Sequence, residues 1–195
     1  NPDRVAAIAD AARQGADVVV LDDAFQHRRV QRLADLVLIS ADQWTPVVRL
    51  LPAGPWREPL RAVRRATLII VTRKAASNEA VETVHECLAD VAPGVPRVSI
   101  RLDPGELVRA SDARETRPLE SLRGMVVRSV LSIGDPTSFV RQMEARGIWV
   151  IASIFPDHHT FAADEVEQIA RSCNPDDLVV CTLKDVVKLV PHWPR

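Results

Sequence analysis

The apolar positions of this chain fall into short β-branched runs separated by segments in which apolar residues recur every three to four positions. Val18-Val19-Val20-Leu21 predicts a buried parallel strand over 17–21. Further runs predict strands over 35–40, 67–72, 125–133, 148–155 and 178–182. An opening helix is expected to start at Pro2 and Asp3, to carry Val5, Ile8, Ala9 and Ala12 on one face, and to end at Gly15. Val81, Val84, Leu88 and Val91 share one side of a helix over 77–91, which Pro93 to Pro96 break; two more helices are expected over 137–146 and 163–172. Strands alternating with helices predict βαβ units, and so an α/β fold with a parallel sheet and flanking helices. The segment 50–65, dense in Pro and Arg, reads as an ordered loop entering a short helix. The polar, aperiodic stretch 104–123 is the best linker, dividing the chain into 1–103, 104–123 and 124–195.

Composition narrows the classes without choosing one. With 195 residues, 47% hydrophobic and 26% charged, the chain suits one α/β domain or a domain and a half. A net charge of −1 gives no global field for nucleic acid, so any anion site must be local. Cys87, Cys173 and Cys181 form no CxxC and read as small buried residues in a reducing compartment. No run approaches the ~18 apolar residues of a membrane span. The chain opens on Asn1-Pro2-Asp3 with no signal peptide and no initiator methionine, and reads as a fragment of a longer protein.

Candidate chemistry gathers at the predicted strand ends. Asp22 and Asp23 close the first strand, where two adjacent carboxylates repel and call for a positive partner. Mg²⁺, a hard cation that takes oxygen ligands and phosphates, fits that need; the alternative is a strand-to-loop junction with both acids in water. Asp157 beside His158 can orient an imidazole for acid–base work, with His159 next to it. The alternative there is a helix N-terminus, capped by Asp or Thr160, entering a helix near Ala162. Arg57 and Glu58 leave a proline-stiffened loop, and Arg61, Arg64 and Arg65 come next as a basic stripe for phosphate or an anionic headgroup, or else a solvated helix face. Weaker signals are the glycine turn Gly134-Asp135-Pro136 and the charged pair in Thr182-Leu183-Lys184-Asp185. The seven glycines make neither GxxxxGK[ST] nor GxGxxG, so the phosphate-cradling loop is missing.

Taken together, these segments resemble the tetraacyldisaccharide 4′-kinase family of Gram-negative bacteria. The family's Asp-Asp-Gly-Phe-Gln-His element is matched by Asp22 to His27, with Ala24 for glycine. Its Leu-Pro-Ala-Gly-Pro-Leu-Arg-Glu-Pro element is matched from Leu51 to Pro59, with Trp56 as the one change. The Gly-x-Pro-x-x-Phe turn appears as Gly134, Pro136 and Phe139, the Asp-His element as Asp157 and His158, and Thr-Glu-Lys-Asp as Thr182 to Asp185 with Leu183 for glutamate.

The resemblance implies a P-loop-NTPase-like parallel sheet, incomplete at its N-terminus. It implies transfer of the γ-phosphate of ATP, with Mg²⁺, to the 4′-hydroxyl of tetraacyldisaccharide 1-phosphate, giving lipid IVA. Asp22 and Asp23 are then similar to Walker B acids holding Mg²⁺, with Asp23 also in the catalytic set and Glu58 near the metal. His158 resembles the histidine that helps activate the acceptor hydroxyl. Gln26, His27, Arg57 and Arg61 would face phosphate or substrate. The Walker A loop, an N-terminal membrane-associated helix and the aspartate that partners the histidine are expected upstream of Asn1, and this chain alone is expected to be inactive. The resemblance also implies the cytoplasmic face of the inner membrane, with an anionic membrane surface as partner and no nucleic acid. If positive φ is what the family glycine supplies, Ala24 costs about 1 kcal/mol; if close packing, it narrows the crevice.

Two other readings compete. A metal-dependent phosphoesterase could use Asp22, Asp23, Asp157, His158 and His159, but it leaves the Leu51–Pro59 element unexplained and lacks an Asp-x-Asp element. A degenerate, non-catalytic kinase-like domain could bind a lipid headgroup through the arginine stripe.

Overall fold

The first helix, α1 (Arg4–Arg13), starts where the Asp3 carboxylate accepts hydrogen bonds from the amides of Val5 and Ala6. It opens the computed structural model, which describes residues 3–194, so Pro2 lies outside the described residues. The chain divides into two units, Asn1–Arg101 and Leu102–Arg195.

The first unit holds a parallel sheet of β1 (Leu36–Ser40), β2 (Leu68–Arg73) and β3 (Arg97–Arg101) in the order β1-β2-β3. Ile39 lies opposite Val71, and Val71 opposite Ser99. Helix α2 (Asn78–Val91) begins at Ser77, whose hydroxyl accepts from the Ala80 amide. Its apolar stripe, Val81, Val84 and Leu88, packs with Ile39, Ile69 and Val71 into the core of this unit. On the sheet's other face Leu36, Leu38, Val98 and Ile100 stay exposed.

The expected strand over 17–21 does not form. The segment runs without ladder partners, and Val18 and Val20 are 79% and 89% exposed. An apolar run becomes a strand only where a neighbour completes its hydrogen bonds and a face is buried, and no described strand does either for this one. Conversely, β3 forms where the sequence pattern predicts no strand. It is five residues long, and arginines at both ends blur its apolar alternation.

The second unit begins with an antiparallel hairpin, β4 (Leu107–Arg109) and β5 (Asp112–Arg117), inside the stretch expected to be a linker or polar excursion. Every residue of β5 is exposed, so its sequence carries no hydrophobic period. The remainder of the unit is a parallel βαβ array: β6 (Val126–Leu131), α3 (Pro136–Glu144), β7 (Trp149–Ile154), α4 (Ala163–Arg171), β8 (Val179–Val180) and α5 (Leu183–Leu189). The order β7-β6-β8 puts β6 in the centre. Met143 of α3 packs with Val127, whereas Val166 of α4 packs with Val130, on the opposite side of β6. The two crossovers therefore flank the sheet on both faces, as an α/β fold requires.

Among the described residues no helix is long and apolar enough to cross a membrane. The three cysteines are free and half-buried rather than fully interior.

These contacts set two stability outcomes. Leu88→Ala empties a fully buried position and should cost about 2–5 kcal/mol in denaturant unfolding; a loss near zero would mean that the α2–sheet contact does not support the fold. Asp177, just before β8, accepts from the Asn174 amide and pairs with Arg128 on β6; these interactions hold its carboxyl below the usual range. A depressed carboxyl stabilises the fold above its unfolded pKa and loses that contribution as pH falls through the folded one. Asp177→Asn should therefore melt lower than the parent at pH 7, and the gap should close as pH drops below about 4. A gap unchanged down to about pH 2 would remove this ion pair from the account.

Candidate active site

In the first unit the loop Asp22–His27 is tied down from behind. Arg32 Nη1 donates to the carbonyls of His27 at 2.7 Å and Ala24 at 3.2 Å. Its guanidinium also grips Asp35, the residue before β1, with Nε 2.6 Å from Oδ1. The Asp35 amide is in turn held by the Thr67 hydroxyl at 3.0 Å. A partly buried Arg–Asp pair thus anchors the acidic loop to the sheet.

Asp23 lies in the left-handed region at φ 50°, one of two non-glycine residues there among the described residues. Aspartate tolerates that region better than most side chains. Its carboxylate pairs with Arg57, and its carbonyl accepts from Arg4 at 3.3 Å. Ala24 is buried and does not have positive φ. Alanine for glycine therefore carries no left-handed strain, and its methyl takes up packing space instead.

The proline-rich loop is a closed hydrogen-bonded turn. Leu51 donates to Trp56, Gly54 to Leu50 and Trp56 to Arg49, at 2.8, 3.0 and 3.2 Å. A Cβ on Gly54 would stand 2.5 Å from the Arg49 carbonyl oxygen, so only glycine fits. Trp56 meets the Trp44 ring edge-on at 5.8 Å. The loop presents Arg57 to Asp23 and Glu58 to Arg65, which also lies 4.5 Å over the Phe25 ring. The expected basic stripe is largely spent internally. It lies on a 3-10 helix over Leu60–Arg65, and Arg64 donates to the Val91 carbonyl at the end of α2. Arg61 remains exposed and unbonded.

The Asp22 and Gln26 side chains are likewise exposed and make no bond; the His27 side chain is half-buried and unbonded. No group of three or more His, Cys, Asp and Glu among the described residues could cage a metal ion. Mg²⁺ does not need one, since it is held by one or two carboxylates and completes its shell with water and phosphate. An unbonded Asp22 beside an Arg-held Asp23 would suit such a donor set. Glu58, turned to Arg65, does not join it here.

In the second unit the parallel register brings three strand exits to one end of the sheet. Asp135 after β6 is the N-cap of α3, accepting from the Ser138 amide with Pro136 in the first turn, so its role is structural. Gly134 admits Asp157, since a Cβ there would lie 3.2 Å from Asp157 Oδ2. His158, after β7, is the second non-glycine residue at positive φ, 61°. Its amide donates to Asp157 Oδ1 at 3.0 Å, and its ring Nε2 stands 3.6 Å from Asp157 Oδ2. The imidazole is 82% exposed, free to meet a substrate.

His159 does a different job. Its Nε2 lies 2.8 Å from Glu165 Oε2, and its ring stacks on Phe155 and meets Phe161 edge-on. It anchors the loop from which His158 projects. Neither Asp157 nor Thr160 caps the next helix, whose N-cap is Ala162 with no side-chain bond.

Sequence reasoning misses four residues of this machinery: Arg32, Asp35, Asp42 and Ser132. Asp42, just past β1, accepts from the amides of Lys74, Ala75 and Ala76, each at 2.7 Å, and so joins the exits of β1 and β2. Its place immediately after an apolar run is the available signal. Asp185, expected to form a local charged pair, faces inward instead, toward Ser132 and Thr182.

Parallel strands joined through flanking helices define an α/β class of protein, P-loop-like in architecture. The family model for tetraacyldisaccharide-1-P 4′-kinase matches residues 1–194, and the chain belongs to that family. It is 40% identical over 181 residues to the tetraacyldisaccharide 4′-kinase of Anaeromyxobacter dehalogenans, covering 91% of this chain and 47% of the relative. The enzyme of the same name from Xanthomonas campestris pv. campestris is 33% identical over 191 residues, covering 98% and 53%. That from Acidithiobacillus ferrooxidans is 35% identical over 187 residues, covering 96% and 52%. The chain thus spans about half the length of these relatives. No solved structure gives a significant match.

Cys181, next to the β8 exit, offers a test of how closed this end of the second unit is. Burial, with the charge of Asp185 behind it, pushes its thiol up to about 11. At about pH 8 iodoacetamide should leave Cys181 unmodified in the folded protein and label it after urea unfolding, as read by peptide mass. Equal labelling in both states would mean that this end is open to solvent.

Proposed function

We propose that the complete protein carrying this chain transfers the γ-phosphate of ATP to the 4′-hydroxyl of tetraacyldisaccharide 1-phosphate, forming lipid IVA. The observation that carries this reading is the pairing of family membership with the two left-handed residues, Asp23 and His158, each set in the motif the family would need. Family membership in a kinase leaves the phosphoesterase alternative without support.

Bound Mg²⁺ would supply charge neutralisation on the phosphate oxygens. Asp22 and Asp23 would hold it, with Arg57 keeping the Asp23 carboxylate oriented. Arg61 and His27 would contact phosphate or headgroup oxygens from their own unit. In the second unit His158 takes the proton of the acceptor hydroxyl at Nδ1, and Asp157, 3.6 Å from Nε2, stabilises the imidazolium that forms. We further propose that the reaction takes place at the cytoplasmic face of the inner membrane, with exposed cationic groups such as Arg61 toward an anionic surface. The sequence carries no glycine-rich phosphate cradle, so this chain alone is proposed to be inactive.

In the complete protein, ATP-dependent phosphorylation of the disaccharide should be measurable. Asp23→Ala and His158→Ala should each lower kcat by about two orders of magnitude or more. Unchanged turnover in either variant removes that residue from the mechanism. Absence of phosphorylation by the complete protein, together with retained lipid binding, would return the non-catalytic alternative.

A further inference from the structure

The second unit encloses a buried carboxylate to which the reaction assigns no role. Asp185, at the start of α5, has no exposed surface. Its Oδ1 accepts from the Ser132 amide at 3.1 Å and the Ser132 hydroxyl at 2.6 Å, and its Oδ2 accepts from the Thr182 hydroxyl at 2.8 Å. The Lys188 ammonium donates to Ser132 Oγ at 2.6 Å and lies 3.7 Å from Asp185 Oδ1. Burying a carboxylate is tolerated only when its lone pairs and charge are met. Here three donors and one cation meet them, and Ser132 Oγ both donates a hydrogen bond and accepts one.

This network reaches further than α5. Ser132 and Thr182 leave two different strands, β6 and β8, so Asp185 ties together two of the three strand exits. Two residues past Ser132 stands Gly134, whose bare Cα forms a wall against Asp157 Oδ2. Asp157 in turn accepts from the His158 amide, which holds that residue at positive φ. A path therefore runs from a buried acid to an exposed imidazole, by hydrogen bonds from Asp185 to Ser132, along the backbone to Gly134, and by packing and a hydrogen bond through Asp157 to His158.

We infer that Asp185 is a positioning residue, which fixes the Ser132–Gly134 turn and through it the Asp157–His158 pair. The inference rests on the proposed role of His158 in phosphoryl transfer.

The test is a double-mutant cycle in the complete protein, with kcat and KM measured for Asp185→Asn, His158→Ala and the pair. Asn is close to isosteric, but its amide NH2 sets a donor against donors. Asp185→Asn should lower kcat about ten- to a hundredfold with KM for ATP nearly unchanged. In the His158→Ala background the same change should cost less than about twofold. Ser132→Ala, a milder cut in the same network, serves if Asp185→Asn does not fold, and should show the same non-additivity. A reading free of activity comes from NMR: the His158 ring signals should shift in either variant, and those of His85 should not. Equal fold-losses with and without His158, or His158 signals that stay put, overturn the positioning role alone. Unchanged turnover in His158→Ala with shifted ring signals overturns the kinase role of His158 and leaves the structural coupling standing.

Discussion

Parallel pairing is the constraint on which the rest of this structure depends. A parallel strand must return its chain to the same end of the sheet as its neighbours, so every strand exit opens toward one edge. In the second unit that rule alone gathers Ser132, Phe155 to His159 and Thr182, which are up to fifty residues apart in sequence. Nothing in the local sequence of Asp157 points to Gly134. They meet because β6 and β7 run side by side in register, with Leu131 opposite Ile154.

Given that gathering, the exposed loops owe their shape to residues that resist relaxation. Asp23 and His158 both hold left-handed backbones, which cost free energy unless the surroundings over-determine them. Each is over-determined in its own unit. Arg57 and Arg4 hold Asp23 from two sides, while Arg32 and Asp35 pin the loop behind it. His158 is held through its own amide by Asp157, and its neighbour His159 is locked between two phenylalanines and Glu165. Two adjacent histidines thus divide the work: one is fixed so that the other can project.

Legibility in the sequence depends on the range of the interactions involved. Helix α2 was legible because its apolar stripe and the prolines beyond it are local features. Strands β1, β2, β6 and β7 were legible as apolar runs. The segment 17–21 looked the same and failed, because strand identity depends on a neighbour that no local pattern encodes. The β4–β5 hairpin was invisible for the opposite reason: it buries almost nothing, so it leaves no hydrophobic signature. In the candidate site, residue types were legible and partners were not. Arg64 and Arg65 carry the charge of a phosphate-binding stripe, yet one caps α2 and the other serves Glu58 and Phe25.

The aspartates sharpen that distinction into a physical criterion. Asp42 and Asp185 each accept three hydrogen bonds from the chain itself, leaving little capacity for anything else. Asp22 accepts none, and Asp157 accepts one amide while its side chain stays 47% exposed. A carboxylate whose lone pairs are filled internally is part of the frame, whereas one left with empty lone pairs near an exit can take a metal or a proton. By that measure Asp42 and Asp185 belong to the frame and hold turns, whereas Asp22, on the loop before β1, and Asp157, past β7, keep lone pairs open. Burying Asp22 without donors would cost several kcal/mol, which is why the buried acid and the open one are found at separate positions in this chain.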